Sequence, residues 1–256
     1  MKSNKIKLKV DWATHDAASY ACKHWHYSQC MPVGKIVKVG VWENDIFIGV
    51  VLFSRGANRG LMSQIGLKQI EGCELTRIAL NRHHTPVTRI IRIAFLFLKK
   101  SSPGMKVCFS FADKEQNHHG GIYQGGNWIY LGETLPADEY IFKGKRWHGR
   151  AFRKSNGSHL KYLDKGLQII KGSQKHRYLY IFDKAFKKEF HKKEYKYPKR
   201  GEHESNAPDI QSGEGGVVPT GTHHLNKKNK QNTKVLLPTQ KDLNGTSKER
   251  IRLQSC

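Results

Sequence analysis

Residues 89–100, RIIRIAFLFLKK, wrap apolar side chains around nearly the whole circumference of a helix. Such a helix has to be covered by other elements rather than lie on a surface. Strand-like runs stand on either side of it, CELTRIAL at 73–80 and KVCFSFA at 106–112, rich in β-branched and aromatic residues. Lys99 and Lys100 sit at the negative end of the helix dipole. Strand, buried helix and strand in succession predict an α/β fold, a mixed central sheet flanked by helices.

The rest of the chain supplies further elements in order. Residues 4–10 alternate as a first strand with lysines facing water, and Thr14 or Asp16 can cap a helix from His15 to about Tyr27. Ile36–Glu43 and Ile46–Phe53 read as a hairpin with Asn44-Asp45 at its tip. A loop with a short helix follows, its Arg55 and Arg59 suited to phosphate. HRYLYIFD at 176–183 reads as a late strand, and a basic arm runs to Pro198. Beyond it there is no Phe, Trp or Tyr, so 1–199 is expected to hold one domain and 200–256 a disordered tail.

Charge narrows the partners. Lys+Arg 45 against Asp+Glu 21 leaves a net +24, and residues 1–199 carry +21 of it. A field of that sign on the folded part favours a polyanion such as double-stranded DNA. The longest apolar run, Ile93–Leu98, is too short to span a bilayer, and no apolar leader opens the chain. Five scattered cysteines have no framework spacing, and Cys22, His26 and Cys30 do not match a zinc pattern. Together these features predict a soluble protein of a reducing cytoplasm.

The polar side chains concentrate between Met105 and Leu131. Asp113 ends a strand where α/β sheets place ligand-contacting groups, and Gln116, Asn117, His118, His119, Tyr123, Gln124 and Asn127 crowd after it. Polar groups beside apolar strands need partners, from an internal network or a ligand, and a ligand site is the favoured reading. Trp128 reads as core. Thr85, Thr88 and Arg89 precede or open the buried helix, a place suited either to an anion or to a simple cap. In residues 140–154, Lys143, Lys145, Arg146, Arg150 and Arg153 interleave with aromatics, as backbone neutralisation plus base stacking would require. A solvated strand pair is the competing reading there.

The order CELTRIAL, loop, helix, KVCFSFAD, helix, WIYLG resembles the core of the GNAT acyltransferase superfamily, although NRHHTPVTR lacks the glycines of that superfamily's pyrophosphate loop. Across about residues 20–199, the motifs HWHYSQCMP, ELTRIAL, TPVTRIIRIAF, SFADKEQNHHGGIYQGGNWIY and YKYPKR resemble, in order, the Mom family of phage DNA-modification proteins. That resemblance implies conversion of adenine in phage or prophage DNA to N6-(carbamoylmethyl)adenine, which protects the DNA from restriction in the host cytoplasm. It implies a GNAT-derived fold and an acyl donor such as acetyl-CoA bound near Thr85, Thr88 and Arg89. It also implies an iron requirement, with His26, Tyr27 and Asp113 as ligands. The residues carried over are His26, Tyr27, Arg77, Thr88 or Arg89, Asp113, Tyr123 and Asn127. In this scheme Asp113 accepts the N6 proton, Tyr123 serves a leaving thiolate or orients the donor, and Asn127 reads the adenine edge. Two other readings stand beside it, an ordinary N-acetyltransferase and a non-catalytic DNA-binding protein.

Overall fold

A computed structural model describes residues 6–56, 58, 60–191 and 194–199. The expectations for Arg59 and for the 200–256 tail lie outside the described residues. The chain divides into two compact units, one ending at Met105 and one beginning at Lys106. Both combine strands and helices, in keeping with the α/β class.

The first unit contains β1 (Leu8–Trp12), α1 (His15–Trp25), β2 (Ile36–Glu43), β3 (Ile46–Ser54), β4 (Gly72–Leu80) and α2 (Val87–Ser101). Its four strands pair antiparallel in the order β1-β2-β3-β4. Asn44 and Asp45 both adopt positive φ, 49° and 64°, the left-handed pair that lets a two-residue turn follow the twist of its strands. Gly49 has φ +138°, and a Cβ there would collide with the Ala79 carbonyl oxygen on β4, so only glycine allows this approach. The Thr14 hydroxyl accepts the Ala17 N–H at 3.1 Å and starts α1. That helix lays Ala17, Ala18, Ala21 and Cys22 against Trp42, Val50, Leu52 and Ala79. Small residues on the helix let it come close to the sheet.

Helix α2 corrects one expectation. Val87, Ile90, Ile91, Ala94, Phe95 and Leu98 are buried, but Leu96 is 68% exposed and shares its side with exposed Arg89, Arg92 and Lys100. The helix is therefore amphipathic, with one leucine left on its charged face. Phe97 turns an edge to Trp12 of β1 at 4.5 Å between ring centres. Pro86 precedes the first turn and no side chain caps it, so neither Thr85 nor Thr88 is the cap.

The second unit contains β5 (Val107–Asp113), α3 (Gly121–Gln124), β6 (Ile129–Glu133), β7 (Asp138–Phe142), β8 (Lys145–His148), α4 (Gly149–Asn156), β9 (Gln168–Lys171), β10 (Lys175–Ile181) and α5 (Lys184–Glu189). β10 lies between β5 and β6, antiparallel to both. A separate three-stranded sheet has the order β8-β7-β9. Phe152 of α4 packs on this sheet with Tyr140, Phe142 and Leu167, and all four are buried. Tyr140, Phe142 and Phe152 are thus a small core rather than exposed stacking rings; β7 and β8 form a strand pair as the competing reading has it, but one with Tyr140 and Phe142 buried, and residues 149–154 belong to α4. Among the described residues no helix is long and apolar enough to cross a membrane.

Candidate functional site

The polar cluster is built where β5 gives way to the segment that leads to β6. Asp113 ends β5 and faces Lys175 of β10 in register. Its Oδ1 accepts the Glu115 N–H at 3.1 Å, and its Oδ2 pairs with Lys175 Nζ at 2.8 Å. Next to it, Glu133 of β6 pairs with Lys114 Nζ at 2.8 Å and lies 3.6 Å from His176 Nδ1. His176 is buried and its Nδ1 is 2.8 Å from the Tyr130 hydroxyl. Burial first, then the Glu133 charge, push the Tyr130 phenol up to about 12 against the opposing pull of Arg177. The Tyr130 phenol is therefore protonated near neutrality.

On the face of β5 and β10 that carries Ser110 and Tyr178, aromatic rings pack together. The Ser110 hydroxyl donates to the Tyr123 hydroxyl at 2.7 Å, and both residues are buried. Tyr123 meets Trp128 and Tyr178 at 5.0 Å each, and Tyr130 meets Tyr178 at 5.2 Å. Gly120, at φ +83°, passes over the Tyr178 ring where any Cβ would clash. Gln124 Nε2 donates to the Tyr178 hydroxyl at 3.2 Å, the His119 carbonyl at 3.1 Å and the Pro198 carbonyl at 3.2 Å. Asn127 holds a left-handed turn at φ 58° and is exposed.

A second constellation lies in the loop before α2. The Glu43 carboxylate, only 4% exposed, accepts the His84 N–H at 3.0 and 3.2 Å and the Thr85 N–H at 2.7 Å. Burial opposes its ionisation, but the Thr85 hydroxyl and the two N–H groups outweigh it and hold the carboxyl below its ordinary value. The anion received by this loop is therefore the protein's own side chain.

The model of the Mom protein family matches residues 7–199. This chain belongs to the Mom family. No curated protein matches the sequence. Among solved structures, a protein of Acinetobacter baylyi ADP1 assigned as an acetyltransferase is 10% identical, with 71% of this chain and 95% of that one covered and a TM-score of 0.41. A Bacillus subtilis acetyltransferase in complex with CoA is 13% identical, covering 70% and 100%, with a TM-score of 0.39. An N-acetyltransferase of Staphylococcus aureus Mu50 is 12% identical, covering 69% and 97%, with a TM-score of 0.39.

In this Mom family member, Asp113, Tyr123 and Asn127 belong to the second unit, and Asp113 and Tyr123 stand in the network just described. His26, Tyr27, Arg77, Thr85, Thr88 and Arg89 belong to the first. His26 follows the last turn of α1, where its Nδ1 accepts the Ser28 N–H at 3.1 Å and lies 2.8 Å from the Ser28 hydroxyl. The exposed Tyr27 ring stacks obliquely on it at 4.3 Å. Arg77 Nη1 donates to the Thr76 carbonyl at 2.7 Å, while its buried Nε has no hydrogen-bond partner among the described residues. Burial drives the neighbouring Cys22 thiol up to about 11 despite Arg77, so Cys22 is an inert packing residue.

The implied cofactors meet these residues poorly. Thr85 is buried on Glu43, so it does not offer its N–H to a pyrophosphate as expected. Thr88 is half-buried and Arg89 exposed. For iron, a ligating imidazole ordinarily donates its second nitrogen to a neighbour, whereas His26 Nδ1 accepts a backbone N–H. Both Asp113 oxygens are engaged, and no group of three or more His, Cys, Asp or Glu gathers among the described residues. To serve iron, His26 would have to offer its Nε2, and Asp113 would have to give up the Glu115 N–H or Lys175.

Of the basic residues assigned to DNA, Lys143, Lys145, Arg146, Arg150 and Arg153 are all exposed. Arg146 is bound between Glu115 and Glu139, so its charge is already answered. Lys145 lies over the Trp147 ring at 4.1 Å. Lys175, His176, Tyr178 and Glu43 are the site members that sequence reasoning missed. The alternation in HRYLYIFD marked a strand, but only its register against β5 brings Lys175 to Asp113.

Proposed function

We propose that this protein modifies adenine in DNA, placing a carbamoylmethyl group on the exocyclic N6 of phage or prophage DNA and so shielding it from restriction. Membership of the Mom family over 7–199 carries this reading. The net charge of +24 supports a polyanionic substrate. Asp113, at the end of β5 and paired through Oδ2 with Lys175 Nζ at 2.8 Å, is the group we assign to take the N6 proton. Adenine N6 is a weak nucleophile, and loss of its proton as the new bond forms needs such an acceptor. Tyr123 is fixed by Ser110 and two rings. Exposed Lys145 of β8 and Arg150 and Arg153 of α4 hold the phosphates.

The Glu43 carboxylate in the loop before α2 argues against an ordinary acetyl-CoA-dependent N-acetyltransferase that grips pyrophosphate there. A direct test is plasmid DNA from bacteria expressing this chain, challenged with endonucleases whose sites contain adenine. Resistance is expected, with cleavage restored by Asp113→Ala. Complete cleavage of DNA from cells holding soluble parent protein overturns the proposal.

A further inference from the structure

We infer that the cavity between β6 and residues 194–197 receives an unpaired nucleotide of the DNA substrate, its base stacked on tyrosine and its phosphate met by lysine. This rests on the DNA reading above and adds a site to it. The cavity measures about 430 Å³ and is lined by Asn127, Lys187, Glu194, Tyr195, Lys196 and Tyr197 over a floor of β6. That volume lies within the range of small-molecule sites, roughly 300–1,000 Å³.

The two tyrosines are the exposed aromatics of this unit among the described residues, at 46% and 43%, whereas Tyr140, Phe142 and Phe152 are buried. They are also held in place. The Tyr195 N–H donates to the Tyr130 carbonyl at 3.1 Å, and the Tyr197 hydroxyl donates to the Trp128 carbonyl at 2.6 Å. Gln124 binds the Pro198 carbonyl at 3.2 Å. Gly132, at φ +76°, clears room for the Tyr195 ring, which a Cβ would approach to 3.2 Å. A ring fixed before binding loses little entropy when a base stacks on it. Lys187 and Lys196 supply positive charge for the phosphate. Asn127 offers both a donor and an acceptor to a base edge, and Glu194 offers an acceptor to a base amino group.

The test uses the full chain and a short single-stranded oligonucleotide with 2-aminopurine in place of adenine, whose fluorescence falls when the base stacks. Parent protein is expected to quench the probe. Tyr195→Ala keeps the backbone N–H that anchors the segment, so it removes the ring alone. It is expected to abolish quenching and weaken binding about tenfold or more, while Tyr195→Phe preserves both. Unchanged quenching and affinity in Tyr195→Ala, with binding intact in the parent, overturn this inference and leave the DNA reading standing. A parent that binds neither single- nor double-stranded DNA overturns the DNA reading itself.

Discussion

A carboxylate with 4% of its surface exposed stays ionised only when donors meet its oxygens, and Glu43 has the His84 N–H, the Thr85 N–H and the Thr85 hydroxyl. Because its folded pKa is lowered, its contribution is full above the unfolded value near 4.3 and is lost as pH falls through the folded value. Glu43→Gln is expected to cost about 1.5–3 kcal/mol at neutral pH, with the gap to the parent closing below about pH 4. Urea unfolding across pH checks both, and an unchanged midpoint at neutral pH contradicts them. Nothing near Glu43 in the sequence marks this role, because its partners lie 41 and 42 positions away. Asp113 was legible as a strand-end acid followed by a polar run. Its partner Lys175 was not, since strand register decides that meeting. The contacts that engage His26 Nδ1 and both Asp113 oxygens were likewise invisible.

At the scale of elements, local pattern served where one face or one turn decides. Asn44-Asp45 marked the hairpin, and Thr14 marked the start of α1. The pattern misled at α2, where Leu96 made a two-faced helix look apolar all round. Leu98→Ala, at a site 1% exposed, is expected to cost about 2–5 kcal/mol. Leu96→Gln, at a residue 68% exposed, is expected to stay within about 0.5 kcal/mol. Thermal or urea unfolding separates the two, and equal losses would mean that both faces are covered. In residues 140–154 the interleaved lysines drew attention to charge. The period-2 spacing of Tyr140 and Phe142 was the stronger signal, since it sets both rings on one face of β7 for Phe152 to cover. Phe152→Ala is expected to cost about 3–5 kcal/mol, read by the same unfolding, with little loss meaning that this core is not cooperative.

At the scale of the whole molecule, the proposed substrate is DNA, and the net charge of +24 suits a polyanion. The logarithm of DNA affinity is expected to fall linearly with the logarithm of salt concentration as counterions are released from DNA by lysines and arginines. Affinity indifferent to salt would deny the charge that role. The most direct measurement is mass spectrometry of nucleosides from plasmid DNA of bacteria expressing this chain, beside Asp113→Ala and Tyr123→Phe. A deoxyadenosine species heavier by a carbamoylmethyl group, absent with Asp113→Ala, is the result expected. Unmodified adenine from cells with soluble parent protein would contradict it.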